Sequence, residues 1–251
     1  MSKRVRIEET IVPIRKKTKR SARVNKQRSS SEFVLPPVAT GGIFTRRVTP
    51  RLSTVGDRTL VYNCEVVNNF TTNALGTFNT TRIPLHTAQP LWLAGVADNF
   101  SKYRWIAMRA IYIPSGPTIN PGTFVFNLGY DYGDNAPASL NAAQSNYKAV
   151  SAPLWGGYGG SELLSVSLST KPPSNSVVLD VDVTRFPLVW YPVVSTQAIF
   201  NAFTAAVKNT YSPCYIDASS SGGPATPLQS GQVFLHYIVE LIEPIQTAQN
   251  V

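Results

Sequence analysis

Asp131 and Asp134 stand three residues apart in the run Asn127-Leu-Gly-Tyr-Asp-Tyr-Gly-Asp-Asn135, with Gly133 between them. A glycine there permits a tight turn, and a tight turn can bring two carboxylates to one hard cation; Ca²⁺ takes roughly 6–8 oxygens at about 2.3–2.6 Å. Two carboxylates fill only part of that shell, so the other oxygens have to come from elsewhere, another subunit included. An ordinary polar turn with capping aspartates has the same spacing. A second chemistry is cationic. Lys3, Arg4, Arg6, Arg15, Lys16, Lys17, Lys19, Arg20, Arg23, Lys26 and Arg28 place eleven basic side chains in the first 31 residues, with no aromatic residue among them. Lysine and arginine neutralise phosphates and release condensed counterions, so roughly 6–10 such contacts lose ~10³–10⁵ in affinity between about 50 and 200 mM salt. Without aromatic rings the arm cannot stack on bases, and its binding to RNA should be electrostatic and nearly indifferent to sequence. A solvated tail, or a nuclear-localisation patch at 15–20, are the competing readings of the same charges.

Catalysis has little to build on. The chain has two histidines and lacks a GxSxG elbow, a GxxxxGKS/T phosphate loop and an HExxH metal motif. His86 follows an Ile-Pro-Leu run and His236 lies in the middle of an apolar strand pattern, so both read as structural histidines. The glycine-rich run from Trp155 to Gly160 lacks a strand-to-helix context and reads as a loop. Cys64 and Cys214 have no CxxC partner, which excludes the common zinc and redox motifs and leaves free thiols. The chain is therefore expected not to be an enzyme.

The elements that must hold these residues divide the chain by charge. Of 23 Lys/Arg and 14 Asp/Glu, residues 1–51 hold 14 and 3, a net of +11, and the other 200 residues carry a net of −2. The basicity belongs to one end and calls for a polyanionic partner there. Residues 1–31 have too few apolar side chains to offset an ordering cost of ~1–2 kcal/mol per residue, and are expected to form a disordered basic arm. Residues 32–56, with Phe33, Pro36, Pro37, Gly41, Gly42, Ile43, Phe44 and Pro50, read as an extended arm able to order against a neighbour. Residues 57–251 read as the folded domain. Only 15% of the chain is charged, against roughly 25% in ordinary soluble domains; burial between subunits, or a Ser/Thr/Asn-rich surface, would account for it. The amino terminus is charged from its third residue and has no apolar run suited to a secretory signal, and no stretch approaches the ~18 apolar residues of a membrane span, so an intracellular origin and no membrane partner are expected.

Within 57–251 short β-like runs alternate with Pro, Gly, Asn and Ser. The pattern predicts strands at 59–67, 77–85, 103–113, 123–130, 163–168, 177–183, 214–218 and 232–242, and helical turns at 91–100, 140–147 and 197–207. Eight strands without interleaved long helices predict an all-β, eight-stranded jelly-roll sandwich with short inserted helices. In 232–242 one face reads Val233, Leu235, Tyr237, Val239, Leu241 and the other Phe234, His236, Ile238, Glu240, Ile242, before Pro244 ends the run.

Four features, the basic arm, the Tyr103-Arg-Trp105 entry to a strand ending Tyr112-Ile-Pro114, the Asp131/Asp134 pair and the closing Gly231-to-Pro244 segment, make the chain resemble coat proteins of small icosahedral plus-strand RNA plant viruses. The resemblance is to the sobemovirus type and, more distantly, the tombusvirus type. It implies a jelly-roll shell protein that self-assembles around single-stranded genomic RNA into a particle of triangulation number three, about 180 copies, found in the virion and, during assembly, in the host cytoplasm. It further implies that residues 33–50 act as an order switch, and that Asp131, Asp134 and, less closely matched, Asn250 bind Ca²⁺ between subunits. The rival readings are a cellular nucleic-acid-binding protein with a lectin-like β-sandwich and a self-processing capsid protease.

Overall fold

The computed structural model describes residues 50–116, 119, 121–156 and 176–245. Among them the elements run β1 (Arg51–Val55), β2 (Arg58–Thr71), β3 (Asn79–Pro84), α1 (Leu91–Ala97), β4 (Phe100–Pro114), β5 (Thr123–Gly129), α2 (Leu140–Ser145), β6 (Val150–Pro153), β7 (Val177–Val181), β8 (Tyr191–Pro192), α3 (Gln197–Ala202), α4 (Ala205–Tyr211), β9 (Tyr215–Ser221) and β10 (Gln229–Pro244). One sheet has the order β1-β2-β10-β4-β7, with β8 on the edge of β4, and the other has the order β3-β9-β5-β6. Every pairing is antiparallel. Setting aside β1 and β8, two four-stranded sheets remain, β2-β10-β4-β7 and β3-β9-β5-β6, which is the eight-stranded jelly roll that the pattern predicts.

Alternation of side chains builds the core. On β10, Val233, Leu235, Tyr237, Val239 and Leu241 are fully buried against the opposite sheet. On the other face Ile238 packs with Ala107 against Leu60, Tyr62 and Ile106. Between the sheets Tyr112 of β4 stacks on Phe124 of β5 at 3.8 Å, and Phe70 of β2 meets Phe124 edge-on at 5.1 Å. The buried Tyr112 hydroxyl donates to the Leu154 and Ser230 carbonyls at 3.1 and 3.0 Å, so the polar tip of this core ring is satisfied.

Several expectations need revision. The helix expected over 197–207 is two: Phe203 and Thr204 are extended, and the Thr204 hydroxyl accepts the Val207 N–H at 3.4 Å and starts α4 afresh. Threonine competes for backbone donors in this way, which makes it a better cap than helix interior. The helix from Leu91 stops at Ala97, and Phe100 already belongs to β4. The short strands β6 and β8 were not expected, and β1 pairs with β2 ahead of the boundary placed at residue 57. All of β1 is exposed, so no burial alternation marks it. The strand expected at 163–168 lies outside the described residues.

Both histidines sit in packed surroundings. His86 is stacked on Phe200 at 4.0 Å and its Nδ1 accepts the Ala88 N–H at 3.1 Å; burial lowers its pKa from 6.5 to about 3. His236 is buried near Arg109, and burial first, then that charge, lowers its pKa to about 4. Each imidazole is neutral in the fold while the unfolded chain protonates near 6.5, so this contribution to stability is complete above that value and is lost as the pH falls, toward about 4 for His236 and about 3 for His86.

Gly129 closes β5 where the Tyr215 ring lies across it: a Cβ there would stand 2.2–2.5 Å from ring atoms. On the same ring lies the Arg82 guanidinium, 3.7 Å from its centre. Gly129→Ala therefore has to displace Tyr215, and is expected to cost about 1–3 kcal/mol in urea unfolding. Over the pH range 7 to 4, His86→Gln and His236→Gln are each expected to show a shallower fall in thermal unfolding midpoint than the parent chain; an unchanged slope would refute the assignment of acid sensitivity to these rings.

Candidate metal-binding turn

Asp131 and Asp134 both project from the turn that follows β5, and both are exposed. The Asp134 N–H donates to the Asp131 carbonyl at 3.1 Å, closing the turn, and the Gly133 N–H donates to Asp131 Oδ1 at 2.8 Å. A Cβ on Gly133 would lie 3.2 Å from that carboxylate oxygen. A side chain at Gly133 would thus press on the Asp131 carboxylate, while the backbone there does not demand glycine, since its φ is not positive.

Between the two aspartates Tyr132 points into the protein. Its ring packs on Phe200 and Tyr215, at 5.6 and 5.1 Å, and its hydroxyl lies 2.9 Å from Ser212 Oγ and donates to the Cys214 carbonyl at 3.0 Å. Burial raises this phenol's pKa well above its ordinary value and keeps it a donor. The turn is therefore anchored by its middle, and its carboxylates are held outward.

Two further side chains fix the ends. Arg82 of β3 makes a two-pronged ion pair with the buried Asp217 of β9, at 2.9 and 3.1 Å, and its remaining amino group donates to the Asp134 carbonyl at 2.8 Å. Asn209 of α4 donates through Nδ2 to Asp131 Oδ1 at 2.7 Å and accepts the Tyr132 N–H through Oδ1 at 2.9 Å. The hydrogen bond from Asn209, followed by that from Gly133, lowers the Asp131 pKa, so this carboxyl favours its ionised form. Among the described residues the Asp134 carboxylate makes no hydrogen bond and no ion pair. Beside the pair opens a cleft of about 480 Å³ whose walls include Asn135, Asn146, Tyr147 and Tyr215.

The donor set fits a hard cation: two outward carboxylates, with the amide side chains of Asn135 and Asn146 lining the cleft beside them and no soft ligand among its walls. It does not complete a coordination shell, because no group of three or more His, Cys, Asp or Glu side chains converges among the described residues. Asn250 lies outside those residues, as do all eleven basic residues from Lys3 to Arg28. Asn209 and Arg82 were not among the residues singled out from the sequence. They meet the turn from 78 and 52 residues away, and no local signal marks such a partner. The thiols are not paired to one another: Cys214 is buried and Cys64 is half-buried, with a pKa raised to about 12, chiefly by burial.

Comparison with known proteins agrees with this architecture. Residues 31–247 match the family described as viral coat protein (S domain). The capsid protein of tobacco necrosis virus strain A is 38% identical over 219 residues, covering 87% of this chain and 78% of the relative. A solved tobacco necrosis virus structure superposes with a TM-score of 0.72 at 40% identity, over 80% of this chain and 90% of that one. The solved structure of cocksfoot mottle virus superposes with a TM-score of 0.63 over 75% of this chain and 96% of that one; at 21% identity it speaks for the fold alone. These matches set aside the cellular lectin-like and protease readings. The chain belongs to the viral coat protein (S domain) family, and is a structural capsid protein of the icosahedral plant-virus type, a component of the virion and not an enzyme.

Proposed function

We propose that this coat protein assembles, in the host cytoplasm, into a shell of triangulation number three, about 180 copies, that packages single-stranded RNA through its basic arm and is fastened by Ca²⁺ between subunits. The observation that carries the reading is the partition of charge. Residues 1–51 have a net of +11 and the remainder a net of −2, on a chain whose remainder is a shell-domain jelly roll. A near-neutral body can pack against copies of itself without accumulating repulsion, while the cationic end neutralises the enclosed phosphates. In this reading Lys3 to Arg28 grip RNA, residues 32–56 act as an order switch between positions in the shell, and 57–251 form the wall, with β1 as the part of the switch segment paired to the wall.

Asp131 and Asp134 are the residues that would hold the cation, with Asn250 and carbonyl oxygens completing its shell. Bound there, a divalent cation supplies positive charge between carboxylates of neighbouring copies. The chain's own contribution is to present both carboxylates outward on one anchored turn. Without the cation, ionised carboxylates brought near one another repel, which loosens the interface.

Removing residues 1–31 is expected to leave shells that assemble but carry little or no RNA, read as the ratio of absorbance at the nucleic-acid and protein bands. Undiminished packaging by the truncated chain would refute the role of the arm. Particles treated with a chelator at mildly alkaline pH are expected to sediment more slowly, and Asp131→Asn combined with Asp134→Asn is expected to abolish the difference between calcium-loaded and chelated particles. A doubly substituted shell that still responds to calcium as the parent does would place the cation elsewhere.

A further inference from the structure

We propose that Asn209, on α4, is a positioning residue of the cation site: it holds the Asp131 carboxylate in its ligating orientation without spending its charge. This rests on the reading of Asp131 and Asp134 as cation ligands. The side-chain amide makes two contacts at once, Nδ2 to Asp131 Oδ1 at 2.7 Å and Oδ1 to the Tyr132 N–H at 2.9 Å. A primary amide carries a donor and an acceptor on one rigid plane, which is what a carboxylate oxygen and the next residue's backbone N–H require. The carboxylate is thereby fixed relative to its own backbone from outside the turn.

The chemistry of the donor matters as much as the geometry. A lysine or arginine at this place would hold Asp131 more strongly, but would neutralise it and compete with a metal ion. The amide donates to the ionised carboxylate and leaves its negative charge in place. The cation next in sequence is turned aside: Lys208 Nζ lies 5.7 Å from the centre of the Phe200 ring. Asn209 Nδ2 and the Gly133 N–H both donate to Asp131 Oδ1, so among the described residues Oδ2 accepts no hydrogen bond and its lone pairs are left for a ligand. The far end of the turn is independently secured by Arg82 on the Asp134 carbonyl, at 2.8 Å. Removing Asn209 therefore leaves the Asp131 side chain held by the Gly133 N–H alone, without unmaking the turn. Outer partners of this kind hold metal-ligating carboxylates in place, and losing one commonly weakens metal affinity about 10–100-fold.

The test uses shells of the full-length chain titrated with Tb³⁺, whose emission is sensitised by nearby tyrosines such as Tyr130 and Tyr132. Asn209→Leu keeps the branching at Cγ and removes both polar atoms; Asn209→Ala, which favours the helix and adds no bulk, is the second variant. Both are expected to raise the half-saturating Tb³⁺ concentration about 10–100-fold, while the thermal unfolding midpoint of the chelated shells stays with the parent. A purely structural role predicts the reverse, an unchanged half-saturation with a lowered midpoint, and would overturn the proposal. The Asp131→Asn, Asp134→Asn double variant separates the two levels. If it abolishes Tb³⁺ emission while the Asn209 variants bind as the parent does, the positioning role fails and the cation site stands; if it binds as the parent does, the cation site itself is misassigned and the positioning role falls with it.

Discussion

Burial of one face of each sheet against the other is the constraint on which the rest of the molecule depends. Strand β10 lies between β2 and β4 and contributes five fully buried apolar residues to that interface, and Tyr112 stacked on Phe124 joins the two layers. Each such side chain removed from water contributes about 1.5–3 kcal/mol before the entropy of ordering is subtracted. Because side chains alternate along a strand, a shift of one residue would carry every one of them to the opposite face. In the second sheet β5 is paired on both sides, by β9 and β6, and the turn that follows it is held at the end of that sheet.

Among the described residues the buried charges are few, and each is paired. Asp217 is buried and held by Arg82, Arg109 is buried and held by Asp180, and Glu240 is buried and held by Arg104 and Arg58. An uncompensated charge in these places would be strongly destabilising, so each pair secures structure more than it adds net stability. One pair does double duty. The Arg82 fork satisfies Asp217 and still has an amino group for the Asp134 carbonyl, so a contact inside the second sheet sets the position of an exposed loop. The two exposed aspartates thus inherit their placement from the interior, through Arg82 at one end, Tyr132 in the middle and Asn209 at the other.

Much of this was legible in the order of residues alone. Alternation identifies β10 and both of its faces, because the two-residue period of a strand is written directly into the sequence, and Pro244 marks its end. The aspartate pair and Gly133 were also legible, since a turn is built from neighbours. What escaped detection was short, irregular or remote. The four residues of β6 include a serine and end at Pro153, too little for a periodic signal. Phe203 and Thr204 sit within a run of good helix formers, and a single capping hydroxyl divides it.

By itself the sequence determined the longer strands, the apolar face of β10, the Asp131–Asp134 turn, and that positive charge gathers at one end; all of these are properties of composition and of near neighbours. The tertiary structure alone decided which strands lie side by side, and hence that Arg82, Asn209 and the Asp131–Asp134 turn meet. Those contacts span 52 and 78 residues, and chain separation of that size carries no periodicity to read. They exist because closing two sheets over a shared apolar core brings distant residues to one edge.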